Sequence, residues 1–283
     1  MLQVVIPAYN EEQRLPRTLR ALRRHLADRR AVLGTAEVIV VDNGSTDHTA
    51  EVARAFDGPG FPVRVVACAV RGKGAAVRAG LLATDAELVV FMDADGATGL
   101  DALDEAWRRS ALGADVVIGS RGVAGSVTAA RHSRTRATGA ACYRRLAGRL
   151  LPGVADTQCG FKAFRGDLAR AAAAGLRARG FSFDVELLVR LRAAGARIDE
   201  VPVTWTDVPG STFVPARHGA GAFAELAAIA WRTRRLSPTT GGVAGTAGQR
   251  SPVPLPAPAS LPVAAALPVA LAAAGAASLM GER

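Results

Sequence analysis

Short apolar runs alternate, along the first part of the chain, with longer stretches in which apolar residues recur every three or four positions. The runs at Val4–Ile6, Glu37–Val41, Val63–Ala67, Leu88–Met92 and Val116–Gly119 predict buried strands. Between them, Glu11–Ala31, Asp47–Phe56, Gly74–Ala83 and Gly99–Leu112 predict helices. Further on, a helix is predicted near Phe183–Ala194, a strand over Ile198–Trp205 and a helix over Ala220–Arg235. This rhythm predicts one α/β domain over residues 1–236, a mostly parallel sheet with helices on both faces. After Leu236 the chain turns to Pro, Gly, Ala, Ser and Thr, and residues 237–283 are expected to form a disordered tail. Ser251–Gly281 carries no charge, but prolines at 252, 254, 256, 258, 262 and 268 interrupt it. No run approaches the ~20 apolar residues that a spanning helix needs.

Composition narrows the classes. Three scattered cysteines, Cys68, Cys142 and Cys159, cannot build a disulfide scaffold, and no C-x₂-C pair suggests a zinc module. Met1 is followed at once by a strand-like run, without the basic and apolar regions of a signal peptide, so the expected compartment is the cytoplasm. The net charge of +10, from 35 Lys and Arg against 25 Asp and Glu, points to an anionic partner. Much of it is concentrated. Between Arg121 and Ala155 there are seven arginines and no acid, a pattern suited to an anionic lipid surface or to a solvated helical face. Nucleic acid is disfavoured, because no binding motif appears and the aromatics are not interleaved with the arginines.

Chemistry collects where the predicted strands end, the rim at which parallel sheets bind ligands. Pro7-Ala8-Tyr9-Asn10-Glu11 leaves the first strand and Asp42-Asn43-Gly44-Ser45-Thr46-Asp47 the second. Arg71-Gly72-Lys73-Gly74 follows the third, offering cations and backbone N–H groups to a diphosphate. Asp93-Ala94-Asp95 follows the fourth. Two carboxylates two residues apart on a loop suit one hard cation, Mg²⁺ or Mn²⁺, that takes its other oxygens from phosphates and water. Asp-x-Asp-Gly is also ordinary turn chemistry.

Taken with Gly119-Ser120-Arg121, these pieces, in this order and spacing, resemble family 2 glycosyltransferases of the GT-A fold over about residues 3–215. Asp156-Thr157-Gln158-Cys159-Gly160-Phe161-Lys162 and Phe183-Asp184-Val185-Glu186-Leu187 resemble the branch of dolichyl-phosphate β-glucosyltransferases and polyprenyl-phosphate sugar synthases. The resemblance implies a nucleotide-sugar site in which Pro7, Tyr9, Glu11 and Asp42 hold the nucleoside, with Ala8, Asn10, Asn43 and Gly44 beside them. Gly72 and Lys73 would lie near the base or diphosphate, Asp93 and Ala94 toward the ribose and phosphates, and Asp93 and Asp95 on the metal. Asp156 and Lys162 would work with Asp95 at the reacting sugar, with Asp156 a base or an orienter. Ser120, Arg121, Arg131 and Arg134 would receive a lipid phosphate. Asn43 stands where a second Asp is commoner, and Thr212 where Lys or Arg often follows Ser211.

The implied reaction is inverting, metal-dependent transfer of a hexose from UDP-glucose or GDP-mannose to polyprenyl phosphate, by a protein peripheral at the inner membrane face. UDP-glucose is favoured because Asp156–Lys162 follows the glucosyl branch. A family member with a soluble hydroxyl acceptor, or a non-catalytic membrane-associated partner protein, is the alternative.

Overall fold

The computed structural model describes residues 1–129, 134–208 and 215–236, and for residues 134–138, 140 and 215–220 the backbone alone. The expected tail, Arg131 and Thr212 lie outside the described residues. The strands are β1 (Leu2–Ala8), β2 (Ala36–Asp42), β3 (Val63–Ala67), β4 (Leu88–Met92), β5 (Val116–Ser120), β6 (Val127–Ala129), β7 (Phe161–Arg165), β8 (Ile198–Pro202) and β9 (Thr204–Thr206). The helices are α1 (Leu15–Asp28), α2 (Arg30–Leu33), α3 (Thr49–Arg54), α4 (Lys73–Leu82), α5 (Asp101–Ala111), α6 (Arg134–Leu150), α7 (Gly166–Gly175), α8 (Phe183–Ala193) and α9 (Pro215–Thr233).

Seven strands form one sheet in the order β3-β2-β1-β4-β7-β5-β8, and β6 pairs with β9 in a small parallel ribbon. Within the large sheet β7 alone runs antiparallel, against β4 on one side and β5 on the other. The central strands are apolar on both faces, as a sheet covered on both sides requires. Val4, Val38, Val40, Val90 and Phe161 join the cluster under α1 and α5, while Val5, Ile39, Phe91, Ile118 and Phe164 join the cluster under α4, α7 and α8. Gln3, buried within β1, is fully engaged: its amide donates to Glu37 and Asp85, and its carbonyl accepts the N–H groups of Asp85 and Ala86.

The mostly parallel sheet with helices on both faces agrees with the pattern reading, and the departures have local causes. The first helix starts at Leu15 rather than Glu11, because Glu11–Arg14 forms a turn whose carbonyl at Glu11 accepts from the N–H groups of Arg14 and Leu15. The strand expected over Ile198–Trp205 is two strands. Pro202 has no N–H to continue the ladder, so β8 ends there and the chain crosses to β6.

Candidate active site

The carboxyl ends of β1, β2, β3, β4 and β5 and the loop entering β7 share one rim. Because β7 is antiparallel, its start lies beside the end of β4: Met92 pairs with Phe161, and Asp93 N donates to Gly160 O at 3.0 Å. This brings Asp156–Lys162 next to Asp93–Asp95. Gly160 makes the approach possible, since a Cβ there would collide with the Asp93 carboxylate.

The loops after β1, β2 and β3 are stitched to one another. Asn10, at φ 55°, donates its N–H to Ser45 Oγ and accepts from Thr46 N at 2.8 Å. Asn43 is buried beneath the loop after β3. Its amide donates to Cys68 O and Val70 O, and its Oδ1 accepts Gly72 N at 2.8 Å. An aspartate could not make those two donations, so the departure at Asn43 fits this loop. Asp42 accepts Ser45 N, and Tyr9 is exposed at the mouth. Glu11 is buried and accepts a fork from the Nε and Nη2 of Arg14. Burial pushes its carboxyl up, against Arg14, with the charges of Asp95 and Asp93 adding to the rise.

Lys73 opens α4 and reaches Asp93 Oδ1 at 2.7 Å, with both side chains a little over a quarter exposed. The contact is an ion pair without the alignment of a hydrogen bond, and Asp93 Oδ1 has no hydrogen-bond partner among the described residues. Burial pulls the Lys73 ammonium down, but the charges of Asp93 and Asp184 outweigh it and hold it raised. Asp95 Oδ1 accepts Ala97 N, and burial, reinforced by the Asp93 charge, raises its carboxyl. A buried carboxylate oxygen without an aligned donor, beside a second carboxyl raised by its neighbour, is a donor set that a hard divalent cation would satisfy. The described residues contain no group of three or more His, Cys, Asp or Glu side chains placed to hold a metal ion together, so such a cation would draw on phosphate and water oxygens.

Asp156 is almost wholly buried and saturated. Arg121 meets it as a fork, Nε at 2.7 Å and Nη2 at 3.0 Å, and Arg121 N and Gln158 N complete four donors. Burial raises this carboxyl, but the Arg121 fork and charge outweigh it and the group lies below its ordinary value. The Arg121 guanidinium lies 5.4 Å from the Trp205 ring and remains 31% exposed on the rim.

Lys162, expected at the reacting sugar, is fully buried on the α8 side of the sheet. It donates to Asp184 Oδ1 and Cys159 O and lies 5.5 Å from the Phe91 ring. Lys73 lies 5.7 Å from the same ring. Lys162 therefore holds the floor and does not open on the cleft. Ser120 is also buried, its carbonyl accepting Ser126 Oγ, and offers no hydroxyl to an acceptor. Arg134 begins α6, where only the backbone is described. Glu186 is buried away from the rim. Arg14 and Glu200, whose carboxylate accepts the N–H groups of Ala155 and Asp156, escape a sequence reading because their partners are set by loop geometry.

Nucleotide-type loops after three parallel strands, with a Lys–Asp pair and a forked arginine on the same rim, define a group-transfer site. The chain belongs to glycosyl transferase family 2, whose family model matches residues 3–170, and it is a glycosyltransferase. It is 36% identical over 230 residues to the dolichyl-phosphate beta-glucosyltransferase of Homo sapiens, covering 76% of this chain and 70% of that one. The Drosophila melanogaster dolichyl-phosphate beta-glucosyltransferase is likewise 36% identical, covering 76% and 69%. Among solved structures, glucosyl-3-phosphoglycerate synthase from Mycobacterium tuberculosis, crystallised with Mn²⁺, UDP and phosphoglyceric acid, shares the GT-A fold. Its TM-score is 0.59 at 24% identity, over 83% of this chain and 78% of that one.

Proposed function

We propose that this glycosyltransferase moves a hexose, glucose from UDP-glucose, to the phosphate of a dolichyl-type polyprenyl phosphate, with inversion at the anomeric carbon. The observation that carries the reading is the meeting, on one rim, of the Lys73–Asp93–Asp95 group with an arginine fork locked by Asp156. The identity to dolichyl-phosphate beta-glucosyltransferases supports the choice of sugar and acceptor.

In this reading Pro7, Tyr9, Asp42 and the loop tied by Asn43 seat the nucleoside. Lys73 leaves Asp93 to face the diphosphate. A phosphate oxygen of the acceptor attacks the anomeric carbon, and the bond from that carbon to the diphosphate breaks, its electrons leaving with UDP. Negative charge gathers on the leaving diphosphate, where the Lys73 ammonium stabilises it. A phosphate monoester is mostly ionised near neutral pH, with a second pKa of about 6. It needs positioning more than a base, and Arg121, with its Nε–Nη2 edge on Asp156, has its other edge left for the phosphate. Asp156, below its ordinary pKa and occupied by four donors, orients Arg121 and does not serve as the base. Asp93 and Asp95 would hold Mg²⁺ or Mn²⁺, which when bound supplies Lewis-acid stabilisation of the diphosphate. The enzyme works peripherally at the inner membrane face; among the described residues no helix is long and apolar enough to cross a membrane. Residues 1–236 form the transferase domain and 237–283 a tail.

The test is transfer to a short polyprenyl phosphate in detergent, offering UDP-glucose and GDP-mannose in turn with Mn²⁺ or Mg²⁺. Transfer from UDP-glucose is expected, falling by about 10²-fold or more in Asp95→Ala. Donor hydrolysis without lipid product would overturn the acceptor. Transfer from GDP-mannose alone would overturn the sugar.

A further inference from the structure

Away from the rim, the ends of α8 and α9 and the loop before α8 enclose a second feature. A pocket of about 480 Å³ is lined by Arg177, Arg190, Trp231, Arg232, Arg234 and Arg235. Beneath it lies Glu186, fully buried, which accepts the N–H groups of Arg177 and Ala178 and the guanidiniums of Arg190 and Arg232. One carboxylate against five guanidiniums leaves an excess of four positive charges. Arg232 Nε is buried with no hydrogen-bond partner among the described residues. The Arg177 and Arg235 side chains have no hydrogen bond or ion pair there either. Cations at helix C-termini complement the helix dipole. That accounts for arginine at these helix ends, but not for five converging on one pocket with a buried N–H left over. Such a group lacks an acceptor, and forked donors around an open pocket match phosphate.

The surroundings select the source of that phosphate. Trp231 is 65% exposed at the pocket edge, and the Arg234 guanidinium stacks on it, 3.2 Å from its ring centroid. Between Leu236 and Glu282 the sequence carries one charge, Arg250. A tryptophan among cations, followed by a nearly uncharged chain, is the composition of a membrane–water boundary. The pocket is not the substrate site. Asp184 marks the floor of that site at the start of α8, and Arg190 lies six residues on, about 9 Å along the axis at 1.5 Å per residue.

We infer that the α8–α9 pocket binds the phosphate headgroup of an anionic phospholipid and seats the end of α9 on the membrane surface. This deepens the peripheral placement proposed above and rests on it for its setting, but not on the identity of donor or acceptor. The test uses the full chain and vesicles free of polyprenyl phosphate, either phosphatidylcholine alone or with 30% phosphatidylglycerol, read by co-sedimentation. Arg177, Arg234 and Arg235 are changed together to Gln; Arg190 and Arg232 are left to hold Glu186. A control changes Arg20, Arg24 and Arg54, exposed on the opposite face of the sheet, to Gln. Binding to the anionic vesicles alone is expected. Each cation at such a surface is worth roughly fivefold, so the pocket variant should bind at least tenfold more weakly and the control within twofold of the parent. Equal losses in both variants would replace the pocket with diffuse charge. No loss in the pocket variant would overturn the site. If inorganic phosphate at millimolar concentration binds the parent but not the pocket variant, and vesicles bind both alike, the occupant is a soluble phosphate and the lipid assignment falls. Transfer in detergent should be unchanged in the pocket variant; its loss there would place the pocket within the substrate site. A parent without transfer activity would leave the vesicle result standing.

Discussion

Asp156 and Arg121 show how one side chain sets the task of another. Asp156 has its carboxyl held below the ordinary value, chiefly by the Arg121 fork against the pull of burial. A depressed carboxylate stabilises the fold above its unfolded pKa, near 3.8, and that contribution fades as pH falls through the folded value. Asp156→Asn should therefore cost about 2 kcal/mol at neutral pH. Thermal melts should show this as a fall of roughly 4–8 °C at pH 7, narrowing below pH 4. Arg121→Lys keeps the charge and loses the fork. Kinetics should show a rise in KM for the lipid acceptor of about tenfold, with KM for UDP-glucose little changed. Lys162→Ala leaves Asp184 buried without its cation and should cost about 3–5 kcal/mol in urea unfolding. The rim residues Lys73, Asp93 and Asp95 were legible because they follow apolar runs. The burial of Lys162 was not, since lysine is almost never fully buried unless paired, and its partner is 22 residues away.

Among the elements, α4 depends on two close approaches. Gly72 sits at φ 121° and a Cβ there would collide with the Arg179 carbonyl; a Cβ at Gly74 would meet Ala178 O and Phe183 Cβ. Gly74 N donates to Arg179 O at 2.8 Å, so the start of α4 is clamped to the loop before α8. Gly74→Ala should destabilise by about 1–3 kcal/mol and, by moving Lys73, weaken UDP binding measured calorimetrically. A sequence reading places these glycines in a phosphate-type turn and has no access to the second reason for them, which comes from far downstream, at Ala178, Arg179 and Phe183. For the same cause β1 to β5 were legible as apolar runs while β7 was not. Phe161–Arg165 is broken as an apolar run by Lys162 and Arg165, and its strand character comes from the two neighbours that receive it.

Among the described residues, the two apolar clusters run as far as Ile229. A chain ended after Leu236 should melt within about 2 °C of the full chain in scanning calorimetry. The +10 charge announced an anionic partner without locating it. Only packing α9 against α8 and the loop before it, where Glu225 accepts from Arg179, Gly180 and Ser182, gathers Arg177, Arg234 and Arg235 around one pocket.

The strand order carries a last consequence, for synthesis. By the time Met92 has left the ribosome, β1 to β4 have every neighbour they need to form a four-stranded sheet. β5 follows and finds no place, because β7 must lie between it and β4. Until residue 165 is made, Val116–Ser120 remains an orphan and Asp93 lacks the Gly160 carbonyl that fixes its backbone. The half of the sheet that carries Lys73, Asp93 and Asp95 is thus built first and left open, and the loop leading into the strand that closes it carries Asp156, which locks Arg121 in place.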